Sequence, residues 1–196
     1  MKTQIKVIGQ GLLLLTATFL LFPETSEAQV KNMSAEELTL ESNSILYGKC
    51  TKMESAWTED KSMILTQVTV VPEYYLKGNL GSEVTITVPG GQVGDIIYEV
   101  SEMPNFQKGE EVFAFIWKHP SGLNLITGGY QGKLKIDKDE KTGIRTVPGK
   151  ALGKDKSRAA KESINPNRKT TLAKTKSEKV SLDDFTKEVE GYMNKH

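Results

Sequence analysis

The chain of 196 residues has a formal net charge of +1, from 26 basic and 25 acidic side chains, and it contains two histidines and one cysteine. This balance excludes a general electrostatic attraction to nucleic acid or anionic lipid. The single cysteine excludes an internal disulfide, and the length suits one domain with flanking segments.

Residues 1–28 have the pattern of a secretory signal peptide. Two lysines precede the apolar run at residues 11–22, which is shorter than the roughly 20 residues that span a bilayer. Ser26 and Ala28 place small side chains at the positions that signal peptidase recognises. We therefore predict cleavage between Ala28 and Gln29, no transmembrane anchor after processing, and a secreted or periplasmic location.

Residues 29–150 have the pattern of a β-domain with a short helix at its start. Ser34 and Glu37 form a capping-box pattern, which predicts a helix that ends near Asn43. Period-two alternation and turn residues then predict strands at residues 45–53, 63–71, 83–88, 96–100, 111–117, 123–127, 132–137 and 144–147. Short strands at such intervals predict a mainly β, antiparallel sandwich or barrel.

Three of the predicted strands have features of their own. Pro72 follows the second strand and marks an edge or a bulge. In the fourth strand Ile96 and Tyr98 repeat the inward alternation of the strand before it. Residues 111–117 are apolar on both faces, which indicates a strand that is covered on both sides.

The composition changes after the β-domain. Residues 154–179 hold nine basic and three acidic side chains with few large apolar ones, so residues 151–180 are predicted to form a flexible linker or loop. This segment lacks the aromatic residues that stack on bases, so we predict no specific nucleic-acid partner, although salt-sensitive contact with acidic polymers stays open. Residues 181–196 predict a C-terminal amphipathic helix, with Ser181 as N-cap, that packs on the domain or recruits a partner.

No residue pattern indicates catalysis, a cofactor or a metal. His119 and His196 with Cys50 are too few ligands for zinc, and Cys50 fits a buried thiol better than a reactive one. Ser157 and Lys161 are one helical turn apart, but nothing in the predicted linker excludes water from them. Residues 137–143 depart from a calcium loop, and no helix follows the glycines at 90 and 91 to form a phosphate site. We predict no catalytic, cofactor-binding or metal-binding residues.

Two aromatic residues lie in polar surroundings. Trp57 is in a predicted turn, and Phe106 follows a proline and an asparagine. Exposed aromatic residues are favoured anchors of protein interfaces, so Trp57 and Phe106 are the candidate interaction surface. The alternative is that both rings plug the ends of a barrel.

Residues 34–137 resemble a family of uncharacterised secreted bacterial domains. The resemblance lies in residues 45–49 (ILYGK), 66–70 (TQVTV), 76–78 (LKG), 88–91 (VPGG), 106–112 (FQKGEEV) and 131–133 (QGK). That pattern is in turn similar to netrin-like modules and tissue inhibitors of metalloproteinases, which implies an antiparallel OB-like (oligonucleotide/oligosaccharide-binding) barrel with flanking helices. Those inhibitors chelate the protease zinc through an N-terminal cysteine held by disulfides, whereas the predicted mature chain starts at Gln29, so that mechanism does not carry over.

These features predict an exported, non-enzymatic binding module without a cofactor. The expected partner is a protein, such as an extracellular protease or an envelope component. The alternatives are an envelope-associated structural protein and an enzyme whose site the sequence does not reveal.

Overall fold

The computed structural model describes residues 31–149 and 179–195. The predicted signal peptide with its cleavage site between Ala28 and Gln29 lies outside the described residues. So do His196, most of the predicted linker and the pair formed by Ser157 and Lys161.

Two α-helices, ten strands and one 3-10 helix make up the described part of the chain. In chain order they are α1 (Ala35–Glu41), β1 (Ser44–Trp57), β2 (Ile64–Lys77), β3 (Val84–Pro89), β4 (Gly91–Val93), β5 (Ile96–Tyr98), β6 (Glu111–Lys118), β7 (Asn124–Ile126), the 3-10 helix (Gly129–Gly132), β8 (Lys133–Lys138), β9 (Arg145–Pro148), β10 (Lys179–Ser181) and α2 (Leu182–Met193).

Eight of the strands form one antiparallel sheet in the order β10-β9-β8-β6-β1-β2-β3, with β7 also paired to β6. The predicted mainly β, antiparallel fold with a helix near each end is therefore confirmed. The sheet is not closed into a barrel: in the described residues its outer strands are β3 and β10. Asn124 Nδ2 in β7 donates a hydrogen bond to Thr85 O in β3 (3.0 Å) across the open side. The predicted OB-like barrel is therefore not confirmed by this strand pairing.

The two longest strands bend through irregularities in their pairing. Register shifts in β1 follow Ile45, Tyr47 and Cys50, and such bulges bend a strand and increase its twist. One of them places Gly48 opposite Pro72, as the proline predicts. A Cβ on Gly48 would overlap Val71 O and lie 2.7 Å from Pro72 Cα, so the close approach of the two backbones at this bulge requires glycine.

Strand β6 separates two hydrophobic cores, which confirms that both of its faces are covered. Alternate residues of this strand point to opposite faces of the sheet. The loop-side core contains Leu46, Cys50, Val68, Val70, Val84, Ile86, Val88, Phe106, Val112, Ala114, Ile116 and Ile126. The helix-side core contains Ala35, Leu38, Ile45, Phe113, Phe115, Leu134, Ile136, Val147, Leu182, Phe185 and Val189.

Both helices pack on the helix-side core. The capping box of α1 forms as predicted, since the Glu37 backbone N–H donates to Ser34 Oγ (3.2 Å) and the Ser34 N–H donates to the Glu37 carboxylate (2.8 Å). Ser181 caps α2 as predicted, since its Oγ accepts the Asp184 N–H at 3.1 Å. The Phe185 ring lies edge-on to Phe113, with centroids 4.9 Å apart. The apolar face of α2 is thus buried in its own domain and is not free to recruit a partner.

Candidate functional site

Strands β4 and β5 form a small hairpin that leaves the main sheet after β3. Gly90 and Gly91 have φ values of +102° and +134°, and positive φ is readily adopted only by glycine. A Cβ on Gly91 would overlap Thr66 Oγ1 and lie 2.5 Å from Ser55 Oγ. These two glycines therefore redirect the chain and let the hairpin pack tightly against the ends of β1 and β2.

Hydroxyl groups hold the base of this hairpin. Thr66 Oγ1 donates to Gly90 O (2.6 Å) and lies 2.9 Å from Ser55 Oγ. The Gly90 N–H donates to Ile64 O at 2.8 Å. The hairpin consequently starts from a fixed point on the sheet, and its outer strand extends away from that point.

All three residues of β5 are exposed. The relative exposure is 53% for Ile96, 64% for Ile97 and 39% for Tyr98. Within residues 31–149 and 179–195 this strand pairs only with β4, so its other edge is free. The sequence pattern predicted that Ile96 and Tyr98 face inward, and this prediction is wrong because the hairpin leaves the main sheet and both side chains stay exposed.

A cavity of about 480 Å³ lies between this hairpin, the sheet and the segment at residues 99–106. Such a volume is within the usual range of ligand sites in proteins. Its apolar lining consists of Met53, Val68, Val88, Pro89, Ile97, Tyr98, Val100, Met103, Pro104 and Phe106. The polar lining includes Thr66, Gln92, Glu99, Ser101 and Asn105. Two residues of β5 thus face this cavity.

Phe106 is part of the wall of this cavity and is only 4% exposed. Lys133 Nζ lies 5.1 Å from the centroid of its ring and donates to the neighbouring Asn105 O at 2.8 Å. Phe106 is therefore not an exposed anchor, contrary to the candidate surface predicted from the sequence. It plugs the end of the loop-side core, which is the alternative stated for it.

Trp57 is partly exposed at the end of β1, opposite Ile64. Because Phe106 is buried, the structure does not unite the two aromatic residues into one exposed surface. The residues that sequence reasoning missed are those of β5. Their signal in the sequence was the run Ile96-Ile97-Tyr98, in which three successive apolar residues cannot all face one core.

Acidic side chains flank β5 along the chain. Asp95 precedes the strand, Glu99 follows it, and Glu102 lies farther along the cavity segment, and all three are exposed. Glu102 has a φ of +62°, which is uncommon for a residue with a side chain. Its carbonyl accepts a hydrogen bond from the Tyr130 N–H at 2.9 Å, and this contact holds the loop in that conformation.

The nucleophilic groups of the described residues have simple structural roles. Cys50 is fully buried, and burial, reinforced by the Glu110 carboxylate, raises the pKa of its thiol. His119 Nδ1 accepts the Ser121 N–H at 3.1 Å and lies 2.7 Å from Ser121 Oγ in an exposed turn. That imidazole nitrogen already accepts a backbone hydrogen bond, and His119 and Ser121 are open to solvent. The contact therefore serves to close the turn.

The acidic loop at residues 137–143 is closed by its own backbone. Asp139 Oδ1 accepts the backbone N–H groups of Lys141 and Thr142, each at 2.9 Å. These bonds lower the pKa of Asp139. Across the described ranges, no group of three or more His, Cys, Asp or Glu side chains has a geometry that could hold a metal ion.

None of the helices in the described part of the chain has the length and apolarity needed to cross a membrane. Comparisons of the chain with family models, curated proteins and solved structures find no match, so its function is inferred from the hairpin, the cavity and their charges.

Proposed function

We propose that this protein is an exported, non-enzymatic binding module that recognises another polypeptide at the β4–β5 hairpin. The observation that carries the proposal is the exposure of Ile96, Ile97 and Tyr98 on a strand with one free edge. Proteins usually protect such an edge with charge, proline or a covering segment, because it pairs readily with other chains. Here three apolar side chains form the whole strand.

The cavity beside β5 adds a second recognition element. It has an apolar wall and a few polar groups, which is typical of sites that bind a side chain or a small ligand. Two methionines, Met53 and Met103, contribute to it, and methionine side chains adapt to different apolar shapes. An exposed apolar strand beside an adaptable cavity favours a polypeptide partner over a small molecule alone.

The fold that we propose for this module is an OB-like, netrin-like barrel. The hydrogen bond from the Asn124 side chain to the Thr85 backbone carbonyl brings β7 and β3 together on the open side of the sheet. The packing of both helices on one face of the sheet also fits the resemblance stated from the sequence. This fold supports binding in general but no particular activity.

From the sequence we propose that the module is exported and that it meets its partners outside the cytoplasm. The signal-peptide pattern places the mature start at Gln29. An extracellular protease or an envelope component is the expected class of partner. Mass determination of the protein from its native host tests this part: the mature chain should begin at Gln29, and a chain that still carries residues 1–28 would contradict export.

Photo-crosslinking tests recognition at the hairpin. Benzoylphenylalanine replaces Ile97 in one variant and Ile144, which is 55% exposed in the loop between β8 and β9, in a matched control. We expect position 97 to form defined polypeptide adducts in native cells, and position 144 to form none of them. Each adduct is identified by mass spectrometry, and the purified partner is then titrated with wild type and with Ile97→Asp.

The proposal predicts that Ile97→Asp weakens binding of that partner at least about tenfold, whereas Ile144→Asp leaves it unchanged. The same adducts at both positions, the absence of adducts at position 97, or equal binding by both aspartate variants would contradict it. If the purified protein turned over a substrate and Ile97→Asp abolished that turnover, the proposal of a non-enzymatic module would also be contradicted.

A further inference from the structure

We infer that β5 binds an extended, basic and apolar segment of another protein as an added strand, with one apolar side chain of that segment in the adjoining cavity. This inference rests on the proposed function, because it states the chemistry of the partner at the same hairpin.

The edge of β5 that does not pair with β4 is free in the described part of the chain. Val93 pairs with Ile96 across the two-residue turn formed by Gly94 and Asp95, and Gln92 pairs with Ile97. A pair that flanks a two-residue turn is hydrogen-bonded, and antiparallel pairs alternate between bonded and non-bonded. The N–H and C=O of Ile97 therefore point away from β4, toward the free edge, where an added strand would bond to them.

The cavity adjoins β5. An added strand lies about 4.8 Å from β5, and its side chains alternate between the two faces of the hairpin. Ile97, Tyr98 and Met103 all line the cavity. A strand along β5 would therefore present an apolar side chain to an opening that is already lined by apolar atoms, and burial there favours binding.

The residues directly before and after β5 are both acidic. Asp95 and Glu99 stand at the two ends of β5, four residues apart, which is about 13 Å along an extended chain. In the described residues neither they nor Glu102 form a salt bridge. Opposite charges on neighbouring strands stabilise pairing, and like charges oppose it. The partner segment should thus carry lysine or arginine about four residues apart, with apolar residues between them.

Selection from a library of linear nonapeptides displayed on phage tests this inference. The purified protein is the bait, and selected clones are counter-screened against Ile97→Pro, which removes the outward N–H donor. We expect enriched peptides to carry two basic residues that flank apolar ones. Their affinity should fall as salt is raised from about 50 mM to about 500 mM, because screening weakens exposed ion pairs.

A synthetic copy of an enriched peptide provides a test that does not depend on the folding of a variant. Methylation of the amide nitrogen that faces the outward C=O of Ile97 should weaken its binding about fivefold or more, through the loss of one backbone hydrogen bond. Methylation of the neighbouring amides, which face away from β5, should have a smaller effect. Glu99→Lys should also weaken binding, whereas Glu140→Lys, an exposed charge in the loop between β8 and β9, should not.

Several results would overturn the inference. These are the absence of enrichment, enrichment of acidic peptides, equal binding to Ile97→Pro, or equal effects of the two methylation patterns. Self-association of wild type that Ile97→Pro abolishes would assign the edge to a second copy of this chain instead. If position 97 crosslinks a native polypeptide while the peptide results are negative, the proposed function stands and the added-strand mode fails. If crosslinking fails as well, both fail.

Discussion

Lys133 Nζ lies 2.8 Å from Glu110 Oε1, although the two side chains are only 10% and 5% exposed. The same carboxylate oxygen accepts the Gln107 N–H at 2.7 Å. Lys133 also reaches Asn105 O and the face of the Phe106 ring. One lysine of β8 therefore holds residues 105–110 against the sheet, and with them a wall of the proposed binding cavity.

Substitution of Lys133 should destabilise the fold strongly. Lys133→Met leaves the buried Glu110 carboxylate without its cation, which costs about 3 kcal/mol of unfolding free energy. Urea unfolding measures this change. Lys135→Met in the same strand is the matched control, because its pairing with Asp137 is long (3.9 Å) and solvent-exposed, and its loss should cost less than about 0.5 kcal/mol.

A double-mutant cycle separates the ion pair from packing. The variant Lys133→Met with Glu110→Gln should lose clearly less stability than the sum of the two single variants, because the residues interact directly. Additive losses, or a Lys133→Met protein as stable as the Lys135→Met control, would show that this pair does not hold the segment.

Replacement of Gly91 should displace the hairpin. In Gly91→Ala the new Cβ overlaps Thr66 Oγ1, so the base of the hairpin has to move. Gly94→Ala is the matched control, because Gly94 also has positive φ (+60°) but has open space around it. We expect Gly91→Ala to weaken partner binding and Gly94→Ala to change it far less, although both variants carry the backbone strain of an alanine at positive φ.

Titration of the purified partner, with circular dichroism to confirm folding, measures this effect. Equal binding by wild type and a folded Gly91→Ala protein would mean that the position of the hairpin does not matter for recognition. Weaker binding by both glycine variants to the same extent would point to backbone strain rather than to the contact with Thr66.

Much of the fold follows from local patterns. The capping box at Ser34, the N-cap at Ser181 and the bulge opposite Pro72 are each set by a few neighbouring residues. The apolar run of β6 indicates two cores, because a strand that is buried on both faces loses the usual alternation of apolar and polar residues. Where a local interaction decides the conformation, the sequence is sufficient.

The site depended on long-range contacts that no local pattern contains. Alternation at Ile96 and Tyr98 shows that they share a face, but not whether that face is covered. Phe106 has polar neighbours and so resembled an exposed ring, yet Lys133, 27 positions later, covers it. Neither outcome could be predicted without knowing which distant segment lies alongside.

Acidification should remove part of the stability of the N-terminal helix. Hydrogen bonds from Lys31 and from Ser34 lower the pKa of Glu37 from 4.5 to about 2. A carboxylate with a depressed folded pKa stabilises the fold above its unfolded pKa, and this contribution is lost as the pH falls toward the folded value. Its contribution is thus present at pH 5 and above and declines toward about pH 2.

Thermal unfolding of wild type and Glu37→Gln at several pH values checks this prediction. The Tm of wild type should exceed that of the variant above about pH 5, and the difference should shrink toward about pH 2. Glu83→Gln, at an exposed position just before β3, is the control. A difference for Glu37→Gln that is constant over this range would exclude a role for the ionised capping box.

The thiol of Cys50 should be inert in the folded protein. The side chain is fully buried, and burial raises its pKa, so both access and thiolate formation are disfavoured. Mass spectrometry should show that iodoacetamide labels native protein far more slowly than urea-unfolded protein at the same pH. Labelling should accelerate in Lys133→Met, because the less stable fold opens more often. Rapid labelling of native wild type would instead indicate a reactive cysteine.

Hydrogen exchange at the Ile97 amide tests recognition by β5 most directly. We predict that this amide exchanges quickly in the free protein, while the Ile96 amide, directed toward β4, is protected. Saturation with the crosslinked partner, or with a selected peptide, should slow exchange at Ile97 by an order of magnitude or more. An Ile97 amide that is already protected in the free protein, or that still exchanges quickly at saturation, would contradict the account.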